Sequence, residues 1–317
     1  MNRWHTWWMA TRLPFAFPAS VIPALLGGLV AVIHAGVRLN VVHYVMTVIA
    51  AACAHAGANL LSDYFDFRKG VDRPDLEGTS RGMVVSGRMT LRAVLIEALV
   101  CWGLAALIGI YFLATVGPVL LPLLALGLLL GAGYTASPTE LKYRALGDFS
   151  VFLAFGVGIT LGSYAIQTGH LAWTPVFYSL PVGLLIWAIL HANNLRDVES
   201  DRSAAVRTVA MLLGPAGARA LYVTLIALAY ALLIAMAALR WVVPTALLAL
   251  LSLPLAIKAV QQLFAGRVDE SGISVAASGG ASGQRQGGVV NLDMRTAQLQ
   301  MAFGFLLLLG LVGTLLL

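Results

Sequence analysis

The sequence predicts an all-α polytopic membrane protein, a bundle of nine transmembrane helices. Of its 317 residues, 60% are hydrophobic and 11% are charged, whereas an average soluble domain has about 25% charged residues. So few charges cannot cover the surface of a soluble protein of this length. The mean hydropathy is +0.87, and four stretches have no Asp, Glu, Lys or Arg, namely 13–37, 39–62, 98–139 and 149–195. We therefore expect lipid to surround most of the chain.

The bounds of the individual helices are predicted from the length of each apolar stretch and from its Pro and Gly residues. A helix that crosses a bilayer needs about 20 apolar residues, so the two longest stretches each hold two spans. The first apolar stretch is too long for a signal peptide and lacks a clean cleavage site, so it is interpreted as a permanent span. The runs are uniformly apolar, which excludes the alternating pattern of a membrane β-barrel. The predicted spans are 14–35, 41–63, 91–113, 118–136, 148–167, 174–196, 218–239, 243–264 and 296–317.

The basic residues orient this bundle. With nine spans, 18 of the 20 Lys and Arg residues fall on the side of the N-terminus, and only Arg38 and Arg240 fall on the other side. Such an asymmetry marks the basic side as cytoplasmic. Membrane topology explains the net charge of +6, and no nucleic-acid-binding motif accompanies it. We therefore expect no nucleic-acid partner.

The domain organisation is simple. Residues 267–291 contain the run SGGASGQRQGG, which is typical of a flexible linker. We expect this linker to lie on the cytoplasmic side, between helices eight and nine. No other composition shift marks a second domain, so residues 1–317 are predicted to form one membrane domain.

Acidic residues cluster at the ends of two predicted helices. Thirteen of the 14 carboxylates share the basic side of the membrane, although acidic residues contribute little to orientation. Asn59, Asp63 and Asp66 have the spacing of one helical face at the end of helix two, and Asn193, Asp197 and Asp201 repeat it at the end of helix six. We call Asp63, Asp66 and Asp72 the first acidic motif, and Asp197 and Asp201 the second acidic motif.

Like charges at this spacing repel one another, so each motif needs a counter-charge. Carboxylate oxygens suit Mg²⁺, which shares its remaining positions with substrate phosphates. The two motifs could thus hold a diphosphate through bridging Mg²⁺ ions. Arginine and lysine bind phosphate oxygens, and the candidates near the motifs are Arg81, Lys142, Arg144 and Arg207.

These motifs resemble the UbiA superfamily of intramembrane prenyltransferases, which has nine helices and an Asp-rich motif after helices two and six. Within it, the chain looks most like the 1,4-dihydroxy-2-naphthoate polyprenyltransferases of menaquinone synthesis. Ser62 stands where the superfamily commonly has Asn, and Asn59 is expected to supply that contact. The matching segments are SDYFDFRKGVD at 62–72, SRGMVVSGRMT at 80–90, YTASPTELKYRALGDFSVFLAFG at 134–156, YAIQTG at 164–169, NNLRDVESDRSAAVRTVAMLLG at 193–214 and RTAQLQMAFG at 295–304.

The resemblance implies transfer of a polyprenyl group from its diphosphate to dihydroxynaphthoate, with loss of CO₂ and pyrophosphate, to give demethylmenaquinone. Mg²⁺ would bind Asp63, Asp66, Asp197 and Asp201. Asp66 or Asp72 would orient or deprotonate the acceptor ring, and Lys142 would assist departure of the diphosphate. The enzyme would lie in a bacterial inner membrane with its site facing the cytoplasm. The remaining candidate diphosphate-binding residues are Asn59, Arg81, Tyr134, Asn193, Arg196 and Arg207.

Two alternatives stay open from the sequence. One is an enzyme of the same superfamily with another acceptor, such as 4-hydroxybenzoate, homogentisate, haem or a lipid. The other is a divalent-cation transporter, but its acidic residues should lie near the bilayer midplane on broken helices. Here they lie at helix ends beside Arg and Lys, which favours the enzyme.

Overall fold

The computed structural model describes residues 3–11, 13–72, 84–265, 267–268, 274–275, 289 and 291–317. Almost all of these residues are helical, and the only strands among them are β1 (Arg267–Val268) and β2 (Ser274–Val275), which pair antiparallel within the predicted linker. The other residues of that linker, except 289 and 291, lie outside the described ranges. The helices are α1 Arg3–Ala10, α2 Leu13–Ala35, α3 Val41–Arg68, α4 Leu91–Thr115, α5 Pro118–Tyr134, α6 Gly147–Thr168, α7 Thr174–Arg196, α8 Val198–Ser203, α9 Val209–Ala238, α10 Pro244–Ala265 and α11 Leu292–Leu316.

The predicted membrane bundle is confirmed. In the described part of the chain, eight helices are long and apolar enough to cross a bilayer, and α5 is a shorter apolar helix in the position of the fourth predicted span. α7 has the predicted bounds, and the other spans differ from prediction mainly at their ends. The largest difference is α9, which begins nine residues before the predicted residue 218 because Thr208 caps it, its hydroxyl accepting from the Met211 N–H at 3.4 Å. Gly214, with φ 68°, and Pro215 then kink the helix.

α7 is the central helix of the bundle, and α4 is peripheral. In α7, 67% of the 18-residue apolar stretch is buried, whereas the buried share of the corresponding stretch of α4 is 22%. α7 packs against α9, α11 and α2, and its buried side chains include Tyr178, Val182 and Leu185. On α4, Leu107 and Ile110 are 65% and 62% exposed in the isolated chain, as expected for side chains that face lipid.

Hydrogen bonds of two buried tyrosines tie neighbouring helices together. The Tyr178 hydroxyl lies 2.8 Å from His34 Nε2 of α2 and accepts from the Val243 N–H at 2.8 Å. On α9, the Tyr222 hydroxyl lies 2.7 Å from the Thr296 hydroxyl of α11. Because lipid offers no alternative partner, such polar pairs fix the order in which membrane helices pack.

Two glycines bring α6 and α7 into backbone contact. The middle of α6, Phe152–Gly158, is π-helical. A Cβ atom built on Gly156 would lie 2.6 Å from the Gly183 Cα of α7, closer than two carbon atoms can approach. Glycine at both positions therefore sets the distance between these helices.

This contact generates a stability prediction. Gly156→Ala should destabilise the protein by about 1–3 kcal/mol, because the new methyl group meets backbone atoms that cannot move aside. The matched control is Gly103→Ala on α4, where an added Cβ has no atom within 4 Å. The unfolding temperature in detergent should fall for Gly156→Ala and stay constant or rise for Gly103→Ala. Equal unfolding temperatures for the two variants would show that α6 and α7 are not in close contact.

Candidate active site

The first acidic motif lies at the end of α3, where the carboxylates are buried. Asp63 and Asp66 are 2% and 4% exposed. α3 continues five residues beyond its predicted end at 63, so Asp66 lies on the helix rather than in the following loop. A buried carboxylate requires hydrogen-bond donors or a cation, and Asp66 has both.

Asp66 collects three side chains around it. Lys142 Nζ lies 2.5 Å from Asp66 Oδ2, the Ser62 hydroxyl donates to the same oxygen at 3.0 Å, and the Tyr143 hydroxyl donates to Oδ1 at 2.8 Å. Lys142 Nζ also donates to Ser62 Oγ at 3.1 Å. Burial alone would lower the pKa of Lys142, but the adjacent Asp66 carboxylate outweighs that effect and raises it above its ordinary value. The pair with Asp66 therefore favours the charged form of Lys142.

The second acidic motif does not form one continuous helical face, which corrects the sequence interpretation. α7 ends at Arg196, and Asp197 has φ −98° and ψ 9° before the short helix α8 begins. Arg196 donates two hydrogen bonds to Asp197, from Nε to Oδ1 at 2.8 Å and from a terminal nitrogen to Oδ2 at 2.7 Å. Its other terminal nitrogen donates to Asp293 of α11 at 2.5 Å. The cation thus links the break between α7 and α8 to the start of α11.

Asp201 shows that the two motifs approach one another. Burial, followed by the Asp197 carboxylate, raises the pKa of Asp201 to about 7, and the charge of Asp66 acts in the same direction. Lys142 opposes the increase. Charges on α3, α8 and the loop before α6 thus influence one carboxyl group, which indicates that they share one site.

A divalent cation fits this donor set. The carboxylates offer only oxygen atoms. After burial, the charges of Asp197 and Asp66 also raise the pKa of Asp201, and a divalent cation would relieve this part of the effect. Within the described ranges, no three Asp, Glu, His or Cys side chains are gathered closely enough to hold an ion by themselves. A cation here therefore needs further oxygen ligands, which is how Mg²⁺ binds between carboxylates and substrate phosphates.

The loop that carries Lys142 is fastened to the segment after the second motif. The Ala145 N–H donates to the Arg207 carbonyl at 2.8 Å, and the Arg207 N–H donates to the Tyr143 carbonyl at 3.3 Å. Arg207 thus contributes its backbone to the site architecture, and its side chain is exposed. Nearby, Lys69 pairs with Glu140 at 2.6 Å on the surface.

Other sequence candidates have different positions. Asn59 donates to the Thr11 carbonyl at 3.3 Å, so it contacts the N-terminal segment. The polar contact with Asp66 that we expected from Asn59 is made by Ser62 itself. Asp72 and Tyr134 both lie within electrostatic range of Lys142. Asn193 lies one turn before Asp197, and the Asp197 N–H donates to the Asn193 carbonyl at 3.0 Å. Arg81 lies outside the described residues.

The structure adds a buried carboxylate that sequence reasoning missed. Asp148, in the first turn of α6, is 1% exposed and accepts from Trp187 at 3.1 Å and from Asn194 at 3.0 Å. His191 Nδ1 lies 3.5 Å from the same carboxylate. The only sequence signal is an acidic residue at the beginning of an apolar span, where carboxylates are commonly solvated.

An apolar helical bundle with buried acidic groups at the end of α3, half-buried ones after α7, and cations between them defines a membrane-embedded enzyme site suited to an anionic substrate. Comparison with known proteins gives the family. The UbiA prenyltransferase family matches residues 20–276. The chain belongs to this family and is a prenyltransferase.

Individual relatives agree with this assignment. UbiA prenyltransferase domain-containing protein 1 from Xenopus tropicalis is 35% identical over 259 residues, 81% of this chain and 73% of the relative. The 1,4-dihydroxy-2-naphthoate octaprenyltransferase of Bacillus subtilis is 28% identical over 305 residues, 96% of this chain and 91% of the relative. A UbiA homologue from Archaeoglobus fulgidus, solved bound to GPP and Mg²⁺, has the same fold, with a TM-score of 0.64 and 16% identity, and the match covers 96% of this chain and 99% of that one.

The Lys142–Asp66 pair generates a prediction about both stability and activity. Lys142→Met should leave Asp66 buried without its cation and cost roughly 1–3 kcal/mol, less than a fully buried pair because Lys142 is partly exposed. Prenyl transfer should fall by about 100-fold, the typical effect of removing one group that stabilises developing charge. Unfolding temperature and turnover in detergent measure the two effects.

Lys69→Met is the matched control, because Lys69 also pairs with a carboxylate, but the Glu140 side chain is 26% exposed, against 6% for Asp66. Exposed ion pairs contribute little, so this variant should keep its turnover and its unfolding temperature. If both lysine variants lose activity equally, Lys142 has no special role in the site.

Proposed function

We propose that this prenyltransferase transfers a polyprenyl group from polyprenyl diphosphate to 1,4-dihydroxy-2-naphthoate. The C–O bond to the diphosphate breaks, the ring carbon that bears the carboxylate forms the new C–C bond, and CO₂ and pyrophosphate leave. The product is the prenylated naphthoquinol, and O₂ in solution, outside this site, then removes two electrons and two protons from it to give demethylmenaquinone. The observation that carries the proposal is that one loop connects the two acidic motifs. Lys142 of this loop pairs with Asp66, and Ala145 of the same loop hydrogen-bonds to Arg207, which follows the second motif.

The diphosphate half of the proposal rests on the charges at this site. Asp63, Asp66, Asp197 and Asp201 would hold Mg²⁺, in line with the Archaeoglobus homologue, which was solved with both GPP and Mg²⁺ bound. When bound, Mg²⁺ neutralises the charge that develops on the diphosphate as the C–O bond breaks. Lys142 and Arg196 are the described basic side chains already paired with these carboxylates, at 2.5 and 2.7 Å. They are therefore the cations best placed to bind diphosphate oxygens.

The acceptor half of the proposal rests on similarity. The Bacillus relative that carries the naphthoate activity in its name aligns with 96% of this chain, and the segments at 164–169 and 295–304 resemble the same branch. An aromatic acceptor must reach the allylic carbon while water stays out, and the apolar helices provide such surroundings. Asp66 or Asp72 orients the acceptor hydroxyl or removes its proton. Asp66 is paired with Lys142, and the charge of Asp72 acts on the same lysine.

The proposed cellular location follows from substrate and charge. A polyprenyl chain partitions into lipid, so an enzyme embedded in the membrane meets it directly. The basic residues on one side of the bundle favour a cytoplasmic site in a bacterial inner membrane. The dihydroxynaphthoate would then reach the site from the cytoplasm.

A direct assay distinguishes between acceptors. Purified protein in lipid vesicles should convert labelled polyprenyl diphosphate and dihydroxynaphthoate to the prenylated naphthoquinone, and it should need Mg²⁺ to do so. Chromatography of the extracted product measures this. Product on 4-hydroxybenzoate, homogentisate, haem or a lipid, with none on dihydroxynaphthoate, would overturn the acceptor assignment but keep the prenyl transfer.

Variants of the acidic motifs test the shared site. Asp63→Asn and Asp197→Asn should each reduce transfer by about 100-fold or more, because each removes one ligand charge from the same complex. Glu199→Gln is the matched control, since Glu199 lies in the same segment as Asp197 and Asp201 but is not a proposed ligand. Full activity in both Asn variants would exclude the two-motif site.

A further inference from the structure

Asp148 belongs to neither acidic motif, yet it is one of the most deeply buried charged residues of the described chain, at 1% exposure. Its three neighbours all come from the last turns of α7. Trp187 Nε1 donates to Oδ1 at 3.1 Å, Asn194 Nδ2 donates to Oδ2 at 3.0 Å, and His191 Nδ1 lies 3.5 Å from Oδ1. Positions 187, 191 and 194 follow the helical repeat, so they form one stripe along α7.

Packing alone does not account for this carboxylate. An apolar side chain would join α6 to α7 without the cost of removing a charge from water. A carboxylate does what an apolar group cannot do, since it fixes the orientation of the groups that donate to it. The role of Asp148 therefore depends on which of its donors it orients.

Asn194 is the neighbour closest to the second acidic motif, three residues before Asp197. A carboxylate only accepts hydrogen bonds, so the part of the amide that faces Asp148 must be the NH₂ group. The amide oxygen then lies away from Asp148. It accepts no hydrogen bond from any residue within the described ranges. An amide oxygen is a neutral ligand of the kind that divalent cations accept alongside carboxylates.

We propose that Asp148 is a positioning residue of this transferase. By holding the Asn194 nitrogen, it presents the Asn194 oxygen as a ligand to the divalent cation, together with Asp197 and Asp201. The inference rests on the proposed function, because it needs a cation at the second motif. It adds one ligand, Asn194, and one supporting residue, Asp148, that the acidic motifs do not contain.

The same contact connects the second motif with Lys142. Gly147, next to Asp148, packs on the loop, since an added Cβ would lie in van der Waals contact with Lys142 Cα, at 3.5 Å. The loop also pairs with Arg207 through the backbone of Ala145. Asp148 thus joins the end of α7 to the residues that hold Lys142.

Asp148→Asn tests the proposal. The new amide can still accept from Trp187, but its NH₂ group faces the NH₂ group of Asn194. The clash is relieved when Asn194 turns over, which withdraws its oxygen from the cation. Loss of a group that orients a metal ligand weakens metal affinity by about tenfold or more, so the Mg²⁺ concentration for half-maximal effect should rise by about that factor.

The readout that does not depend on turnover is thermal stabilisation by Mg²⁺ with inorganic pyrophosphate. In the wild-type protein, this pair should raise the unfolding temperature. In Asp148→Asn, the Mg²⁺ titration of that increase should shift to higher concentration, while kcat at saturating Mg²⁺ changes much less. No stabilisation of the wild-type protein would count against the proposed function, whereas an unshifted titration in Asp148→Asn would overturn only this inference.

A reciprocal exchange provides the rescue. In Asp148→Asn combined with Asn194→Asp, the new amide donates to the new carboxylate, and the second carboxylate oxygen remains for the cation. This double variant should recover Mg²⁺ affinity to within about threefold of wild type. If the single variant fails to fold, Asn194→Ala serves in its place and should show the same weakened Mg²⁺ affinity. A weakened single variant without recovery in the double variant would contradict the pairing.

Trp187→Phe is the matched control. It removes the other hydrogen bond to the same carboxylate and keeps the Asn194 contact. The unfolding temperature without ligands should fall, but the Mg²⁺ titration should stay within about twofold of wild type. A loss of Mg²⁺ affinity equal to that of Asp148→Asn would show that the network acts only through stability.

Discussion

A carboxylate buried at the end of an apolar helix must find a cation or several donors, and the architecture of this site follows from that requirement. Asp66 is paired with Lys142, and Asp197 is paired with Arg196. Among the residues that the structure describes, no Lys or Arg pairs with Asp148, which instead takes donors from α7. The contacts of Asp66 and Asp148 each cross from one helix to another element. The acidic groups thus hold together the polar end of the bundle, much as hydrophobic packing holds its middle.

The same pairs place one basic side chain on each acidic motif. Lys142 occupies Asp66 Oδ2, and Arg196 occupies both oxygens of Asp197. If Mg²⁺ binds these oxygens as proposed, the two basic groups would remain next to the diphosphate and share in holding its charge. Lys142 and Arg196 thus reduce the repulsion between the carboxylates of the two motifs.

The sequence predicted the membrane spans well because hydrophobic length is a local property. α7 has the predicted bounds, while α9 begins earlier because Thr208 and the Gly214–Pro215 kink act on the backbone rather than on hydropathy. The acidic motifs were also visible, since their spacing is local. The break at Asp197 was not visible, because it depends on an arginine that also binds Asp293 of α11. The Asp148 network was missed for the same reason, since a single acidic residue at the start of a span has no local partner.

The geometry of the polar end depends on packing deep in the bundle. Asp148, Phe152 and Gly156 occur at intervals of four along α6, and all three make contacts with α7. Gly156 touches Gly183 through backbone atoms, and Phe152 lies against both Trp187 and Gly183. The two glycines thus set the distance between α6 and α7 inside the membrane. This distance determines whether Asp148 can reach Asn194 at the charged end of the bundle. A hydrogen bond of 3.0 Å tolerates little change in that separation. Gly156, Gly183 and Phe152 therefore help to position Asp148 and Asn194, although they have no polar side chain.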